Sequence, residues 1–137
     1  APAHGLLYTG AGPGTAQGGK IGGAMRPIAA RNPPPEGLIV LTSRSHESNR
    51  RVSEYLDGMM IAERRLIGSS LKFCTIAEGA ADLYPRFGNT CEWDTAAGHA
   101  VLEAAGASVT TLDGAPLQYG KKDFLNPAFV ARGRATP

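Results

Sequence analysis

Three short segments combine hydroxyl and cationic side chains in a pattern typical of phosphate binding. They are TSRSH (42–46), GSSLK (68–72) and LYPRF (83–87), and each stands where a predicted strand ends. Arginine can hold a phosphate through two parallel hydrogen bonds, and a lysine in a first helical turn opposes the helix dipole unless an anion neutralises it. Each segment alone also fits an ordinary role, as an N-cap serine, a solvated lysine or a surface arginine. The three together predict an anion site.

Asp94 is the candidate ligand for a metal ion. It follows the chain's only tryptophan in EWDTAAGH (92–99) and precedes an alanine-rich helix predicted over 95–105. As the N-cap of that helix, Asp94 would accept the backbone N–H of Ala96 or Ala97, which stabilises a helix by roughly 1 kcal/mol. A carboxylate held there could also bind a hard cation such as Mg²⁺. The residues alone leave both interpretations open.

The predicted helix after Asp94 carries a face of small side chains and ends before Gly106, which takes the C′ position. The face consists of Ala96, Ala97, Ala100, Val101, Ala104 and Ala105. It predicts that a second layer packs closely against the helix. Such packing would fix the direction of the Asp94 carboxylate.

Strands and helices alternate along the chain and must position these residues. Strands are predicted over 6–9, 38–43, 63–68, 83–87 and 107–112, with 116–120 returning from the Asp113-Gly114 turn. Helices are predicted after Ser45, over 69–82 with Ser69 or Ser70 as N-cap, and over 95–105, whereas the glycine- and proline-rich stretch 10–37 is predicted to be a loop. This order indicates an α/β fold, a layered domain with a mixed sheet, over residues 1–137. Ligands of such sheets collect at the carboxyl ends of strands, where the three cationic segments lie.

The stretch GTAQGGK (14–20) matches the glycine and lysine spacing of a nucleotide phosphate loop. That loop needs a serine or threonine next, to ligate magnesium, and a helix directly after it. Ile21 and two glycines follow instead. The stretch is therefore predicted to be a flexible glycine loop without a nucleotide site.

Composition excludes several classes of function. The chain has 14 Lys+Arg against 12 Asp+Glu, which argues against binding of a nucleic acid polymer. It contains no apolar run long enough for a transmembrane segment, and its first residues do not resemble a signal peptide. A cytoplasmic location is expected, with peripheral membrane association left open. Cys74 and Cys91 form no Cys-x-x-Cys pair and are expected to be reduced thiols.

The run WDTAAGHAVLEAAG (93–106) resembles the W-D-x-A-A-G signature of the inositol monophosphatase superfamily, which comprises magnesium-dependent, lithium-sensitive phosphatases. The wider sequence, from GSSLK (68–72) to PLQYGKKDFLNPAFVA (116–131), is similar to one bacterial branch, the 3'(2'),5'-bisphosphate nucleotidases of the CysQ type. The resemblance implies removal of the 3'-phosphate from adenosine 3',5'-bisphosphate or its sulfated relative, in sulfur assimilation. It covers the chain except for residues at about 10–25, and several separated motifs agree in order and spacing.

The resemblance also implies roles for matching residues. Asp94 would be a catalytic magnesium ligand, and Thr95 would shape the helix terminus beside the metal. The residues implied to bind substrate are Ser43, Arg44, Ser45, His46, Ser69, Lys72 and Arg86, with the lysine and the last arginine favouring a second phosphate.

One departure from the family pattern concerns the other metal ligands. In the family they lie in a D-P-I/L-D-G-T motif and an upstream glutamate of the N-terminal half, and the chain contains no such motif. The chain therefore resembles the C-terminal half of the enzyme, with the N-terminal metal-binding half as its expected partner. Because one aspartate cannot hold two or three metal ions, the isolated chain is expected to be inactive. An open interface would also favour self-association, for example as a homodimer.

Two alternatives to the bisphosphate nucleotidase stay open. One is an inositol- or sugar-phosphate phosphatase of the same superfamily, although Lys72, Arg86 and TSRSH make that side of the pocket more cationic than such a substrate needs. The other is a non-catalytic module that binds an anion or a nucleotide.

Overall fold

The computed structural model describes residues 1–43 and 46–134, and for residues 46–49 it describes the backbone alone. A 3-10 helix covers Pro2–His4. The strands are β1 Leu6–Thr9, β2 Gln17–Lys20, β3 Met25–Pro27, β4 Leu38–Thr42, β5 Ile61–Leu66, β6 Leu83–Arg86, β7 Ser108–Thr111 and β8 Phe129–Arg132. The helices are α1 His46–Tyr55, α2 Leu71–Ala77 and α3 Glu92–Ala104.

A five-stranded mixed sheet in the order β5-β4-β6-β8-β7 forms the centre of the fold. Strand β4 pairs in parallel with β5 and β6, and β8 runs antiparallel to β6 and β7. Because β4, β5 and β6 are parallel, their carboxyl ends meet at one edge of the sheet. The predicted α/β fold with a mixed sheet is confirmed.

Helices cover both faces of this sheet. Leu41 of β4 belongs to a core that also contains Phe73 of α2 and Leu102 of α3. The next residue back, Val40, packs on the opposite face with Val52 of α1. Successive strand side chains point to opposite faces, so a strand between two layers of helices is apolar throughout. The continuous apolar run of β4 has this cause.

The prediction that residues 10–37 form a flexible loop is wrong. Strands β2 and β3 lie within this stretch and form an antiparallel three-stranded sheet with β1. Ala16 and Ala30 are buried in the main core, and the backbone N–H of Ala30 donates to the carbonyl of Ala105 at 3.0 Å. Lys20 belongs to β2, and the next helix in the described chain begins at His46, so residues 14–20 lack the helix that must directly follow a phosphate loop.

Several predicted boundaries also differ from the structure. Strand β5 begins at Ile61 rather than at residue 63, and α2 ends at Ala77 instead of continuing to 82. Ser70 does take the N-cap position of α2, but its side chain accepts no capping hydrogen bond. The segment predicted as a return strand at 116–120 makes one isolated bridge, between Thr110 and Pro116. The strand that pairs with β7 is β8.

Helix α3 buries only part of the predicted face, namely Val101, Ala104 and Ala105. Ala96, Ala97 and Ala100 are exposed, whereas Thr95, His99 and Leu102 are buried. The predicted close approach of another layer occurs at Ala104, whose Cβ would lie 2.7 Å from a Cβ added at Gly10. A second close approach occurs at Gly98, where an added Cβ would lie 2.7 Å from Cδ2 of Phe73 in α2. Gly106 follows the helix with φ of 83°, as its predicted C′ position requires.

Gly98→Ala is expected to lower the free energy of unfolding by about 1–2 kcal/mol. Alanine normally stabilises a helix relative to glycine, but overpacking costs roughly 1–3 kcal/mol. Phe73 cannot easily give way, because it is 1% exposed and packs against Tyr84 and Phe129. Urea denaturation measures the effect, with the exposed Ala97→Ser as a control expected to change stability by less than about 0.5 kcal/mol. A more stable Gly98→Ala variant would contradict the close packing.

Both cysteines are free thiols, as expected from their spacing. Burial raises the pKa of Cys74 to about 11. In the part of the chain that the structure describes, no helix has both the length and the apolar character that a membrane crossing needs.

Candidate functional site

A cleft of about 690 Å³ opens at the carboxyl edge of the parallel strands. Its walls come from the ends of β4 and β6, the residues after β5, the start of α2, the first turn of α3 and Phe129 of β8. Five of the predicted site residues line it, namely Ser43, Ser69, Lys72, Arg86 and Asp94. The structure therefore brings four of the anion candidates and the metal candidate into one cavity.

The guanidinium of Arg86 is held rigidly at the end of β6. Its Nε donates to the carbonyl of Gly88 and its Nη2 to the carbonyl of Asn89, each at 3.1 Å. Its Nη1 donates to Oγ of Ser43 at 3.1 Å, which connects the ends of β6 and β4. Arg86 is half-buried and faces the cleft. An arginine fixed in this way loses little further conformational entropy when it binds an anion.

Lys72 is buried, with only 3% of its surface exposed, which rules out the alternative that its side chain extends into solvent. Its ammonium turns back from α2 and donates to the carbonyls of Ile67 at 3.0 Å and Ser69 at 2.9 Å. The same nitrogen lies 4.7 Å from the centre of the Tyr84 ring. Burial, and then the neighbouring charge of Arg86, lowers the pKa of Lys72 to about 8. A bound anion would oppose both effects.

Ser69 supports this arrangement through its backbone. It has a φ of 57°, which is rare outside glycine, and its carbonyl accepts from the Lys72 ammonium. Backbone strain of this kind persists where the surroundings fix it, and it is common at binding sites.

Asp94 lies at the exposed rim of the cleft, but it is not the N-cap of α3. The helix begins at Glu92 and Cys91 is its N-cap, so Asp94 is the third helical residue. Its Oδ2 accepts the backbone N–H of Cys91 at 2.8 Å, as the acidic member of a capping box does. The prediction of a bond from Ala96 or Ala97 is wrong, because the helix starts one turn earlier than the alanine run.

The Asp94 carboxylate keeps one oxygen for another partner. Among the described residues, hydrogen bonds reach its Oδ2 alone, which leaves Oδ1 open at the cleft. An exposed carboxylate oxygen of this kind fits one position in the oxygen shell of Mg²⁺. Residues 1–43 and 46–134 contain no group of three or more His, Cys, Asp or Glu residues placed to hold a metal ion. The donor set found here is one ligand and does not complete a metal site.

The remaining TSRSH residues cannot be compared with their prediction. Arg44 and Ser45 lie outside the described residues, and for His46 the structure describes only its place as the first residue of α1. Their predicted contacts with substrate stay predictions.

Sequence reasoning did not identify the role of Glu92. Its carboxylate accepts the backbone N–H groups of Gly120 and Lys121, both at 2.9 Å, and pairs with the Lys121 ammonium at 2.6 Å. Lys121 and the two backbone donors lower the pKa of Glu92 to about 2. The sequence shows that Glu92 precedes Trp93-Asp94. Its partners, however, lie 28 and 29 residues later in the chain, in a segment without regular secondary structure.

Thr95 is buried and ties the helix terminus to the same segment. Its Oγ1 donates to the carbonyl of Glu92 at 3.1 Å. It accepts from Nδ2 of Asn126 at 3.2 Å and from the Tyr119 hydroxyl at 3.3 Å. The threonine thus connects the first turn of α3 to Tyr119 and Asn126, and its implied role beside a metal stays a prediction.

Cationic strand ends and an acidic helix terminus at one edge of a mixed α/β sheet form a site suited to a phosphate group. The chain belongs to the inositol monophosphatase family, whose model matches residues 1–136. It is 50% identical over 108 residues to the 3'(2'),5'-bisphosphate nucleotidase CysQ of Escherichia coli (strain K12), an alignment that covers 78% of this chain and 43% of that protein. It is also 64% identical over 73 residues to an uncharacterized protein in the pss 5' region of Rhizobium leguminosarum bv. phaseoli, covering 49% of this chain and 77% of that protein.

A solved structure shows the same relation. The chain superposes on CysQ from Bacteroides thetaiotaomicron, a bacterial member of the inositol monophosphatase family, with a TM-score of 0.75 and 33% identity. The superposition covers 94% of this chain and 54% of that one. The chain therefore spans about half the length of the bisphosphate nucleotidases that it resembles.

Proposed function

We propose that this chain forms the substrate-binding part of a Mg²⁺-dependent phosphatase that removes the 3'-phosphate from adenosine 3',5'-bisphosphate or its sulfated relative. The observation that supports this best is one cleft lined by two fixed cations and by a carboxylate with an open oxygen. The similarity to bisphosphate nucleotidases of the CysQ type supports the choice of substrate. A role in sulfur assimilation and a cytoplasmic location are part of the same proposal.

The two cations favour a ligand with more than one phosphate. Within the described residues, neither Lys72 nor Arg86 pairs with a carboxylate. The two groups are close enough for Arg86 to lower the pKa of Lys72. Neighbouring buried charges of the same sign are costly unless an anion compensates them. A bisphosphate would supply that compensation at both groups.

In the proposed mechanism, each residue of this chain binds or orients. Arg86 and Lys72 hold phosphate oxygens, and Ser43 keeps the Arg86 guanidinium in place. Asp94 offers Oδ1 as one metal ligand. When bound, the metal ions polarise the phosphoryl group and lower the pKa of an attacking water. The other ligands are proposed to come from the part of the family fold that this chain does not span.

Binding and turnover separate the proposal from its alternatives. We expect the 137-residue chain to bind adenosine 3',5'-bisphosphate in a calorimeter without hydrolysing it, and we expect hydrolysis once the complementary part of the fold is supplied. Competition in the complete enzyme should favour the bisphosphate over inositol and sugar phosphates. Preference for inositol phosphate would instead identify the inositol- or sugar-phosphate phosphatase. Binding without turnover in the complete protein would identify a non-catalytic module.

Lys72→Met should weaken bisphosphate binding by about 10- to 100-fold, because a hydrogen bond to a charged group contributes roughly 1.5–3 kcal/mol. Adenosine monophosphate should lose less affinity. Wild-type affinity should be highest near pH 7 and fall by up to about tenfold per pH unit above 8, as the ammonium with a pKa near 8 loses its proton. The phosphate charge is constant in that range, since its second pKa is about 6.

Titration calorimetry from pH 6 to 10 measures this dependence. Lys72→Met should show a flat profile above pH 7, and the exposed Lys20→Met should behave like the wild type. Equal losses for bisphosphate and monophosphate would remove the role assigned to Lys72. A wild-type profile without a decline above pH 8 would show that its charge does not bind the ligand.

A further inference from the structure

The segment 118–126, here called the latch, lies across the first turn of α3. Glu92 holds its first half: the carboxylate oxygens accept the N–H groups of Gly120 and Lys121 at 2.9 Å and contact the Lys121 ammonium at 2.6 Å. The Glu92 side chain is 11% exposed, and these three donors satisfy its charge. A carboxylate so enclosed is strongly bound to its partners.

The second half of the latch is held by the backbone of the same turn. The N–H of Glu92 donates to the carbonyl of Phe124 at 2.8 Å, and Nδ2 of Asn126 donates to the carbonyl of Cys91 at 2.9 Å. The N–H of Asn126 donates to the carbonyl of Thr90 at 2.9 Å. The latch and the start of α3 are therefore connected at both ends.

The latch also contacts the rim of the cleft. Phe124 packs against Trp93, with 6.0 Å between the ring centres, although both side chains are largely exposed. Phe124 has a φ of 54°, a conformation that costs a non-glycine residue energy and that its neighbours must maintain. No strand or helix of the described chain covers residues 118–126, so the segment is ordered by its contacts with the start of α3, which include the isolated antiparallel bridge between Cys91 and Leu125 as well as the Glu92 carboxylate.

We propose that Glu92 is a positioning residue, which orders the latch against the first turn of α3 and thereby fixes Trp93 and Asp94 at the cleft. Glu92 does not contact the substrate in this role. It acts through the latch on the direction of the neighbouring carboxylate. The inference rests on the proposed function, because the consequence of this ordering is the placement of a metal ligand.

Glu92→Gln tests the ordering in the 137-residue chain itself. The amide replaces one acceptor oxygen by a donor, so one latch N–H loses its partner and the Lys121 ammonium loses its counter-charge. Trypsin should cleave after Lys121 and Lys122 at least about fivefold faster than in the wild type. The single tryptophan, Trp93, should become more accessible to acrylamide as Phe124 moves away. Glu54→Gln, which removes an exposed helical pair with Arg50, is the control and should change neither measurement.

The positioning role is tested in the complete phosphatase. Glu92→Gln should raise the Mg²⁺ concentration for half-maximal activity by about 10- to 100-fold, as loss of an outer-shell partner of a metal site does. The KM for bisphosphate should change less than about twofold, because Lys72 and Arg86 are untouched. If Glu92 served folding alone, the folded fraction of the variant would keep the wild-type Mg²⁺ concentration for half-maximal activity and the wild-type KM for bisphosphate.

Each outcome decides a separate step. Unchanged cleavage and quenching in Glu92→Gln would overturn the ordering, whatever the activity. A disordered latch with an unchanged Mg²⁺ requirement would overturn the positioning of Asp94. Absence of phosphatase activity in the wild type would refute the proposed function and its catalytic consequence, while trypsin and acrylamide would still decide whether Glu92 orders the latch.

Discussion

Asp82→Ala is expected to lower the free energy of unfolding by about 3 kcal/mol. Asp82 is 5% exposed, and its two oxygens accept from Nε and Nη2 of Arg31 at 2.8 and 2.7 Å. Oδ2 also accepts the backbone N–H of Ile39 at 2.8 Å, at the start of β4. Removing one partner of a buried ion pair costs roughly 3–5 kcal/mol, and the lower figure applies because the Arg31 side chain is 36% exposed.

Urea denaturation of the chain measures the loss, with Asp57→Ala as an exposed control that should change stability by less than about 0.5 kcal/mol. The double variant Asp82→Ala with Arg31→Met should recover part of the stability, because it leaves no unpaired guanidinium. A loss below about 1 kcal/mol for Asp82→Ala would show that the pair contributes little. The contact matters to the fold because Arg31 belongs to the stretch predicted as a free loop, which Asp82 joins to the main sheet.

The main sheet could be predicted because its strands carry strong local signals. LIVL (38–41) is apolar at four successive positions, as is typical of a strand covered on both faces. The cationic residues after β4, β5 and β6 could be grouped in advance, since parallel strands bring their carboxyl ends to one edge. Lys72 and Arg86 meet there for that reason.

Elements held by distant partners could not be predicted. Strands β2 (QGGK) and β3 (MRP) consist mostly of glycine, proline and charged residues, which have weak strand propensity. Strand β2 is ordered by its pairing with β1 and β3. The latch has no periodic pattern, and Glu92, whose carboxylate accepts the N–H of Gly120, precedes that residue by 28 positions. Local propensity carries no information about contacts of this kind.

The start of α3 shows how a local rule can select the wrong residue. An acidic residue before an alanine run indicates an N-cap, but a capping box places the acid at the third helical position. Glu92 and Trp93 precede Asp94 within the helix, and Cys91 is the cap. The consequence for chemistry is favourable, because a carboxylate that uses one oxygen for Cys91 leaves the other open.

Asp94→Asn should reduce turnover by at least about 100-fold in the complete phosphatase. Substituting residues that only hydrogen-bond to metal ligands costs about 10- to 100-fold in activity, and replacing a ligand itself should cost at least as much. It should also raise the Mg²⁺ requirement. Stability should change by less than about 1 kcal/mol, because the asparagine oxygen can still accept the N–H of Cys91 at the position that Oδ2 now occupies.

Steady-state kinetics over a range of Mg²⁺ concentrations, together with urea denaturation, separates the two roles of Asp94. Asp57→Asn, on an exposed turn after α1, is the matched control and should leave both measurements unchanged. A large loss of stability with retained activity would mean that Asp94 serves only the capping box. Loss of activity with stability retained would mean that one oxygen maintains the helix start while the other binds metal, so that the same carboxylate both orders α3 and takes part in catalysis.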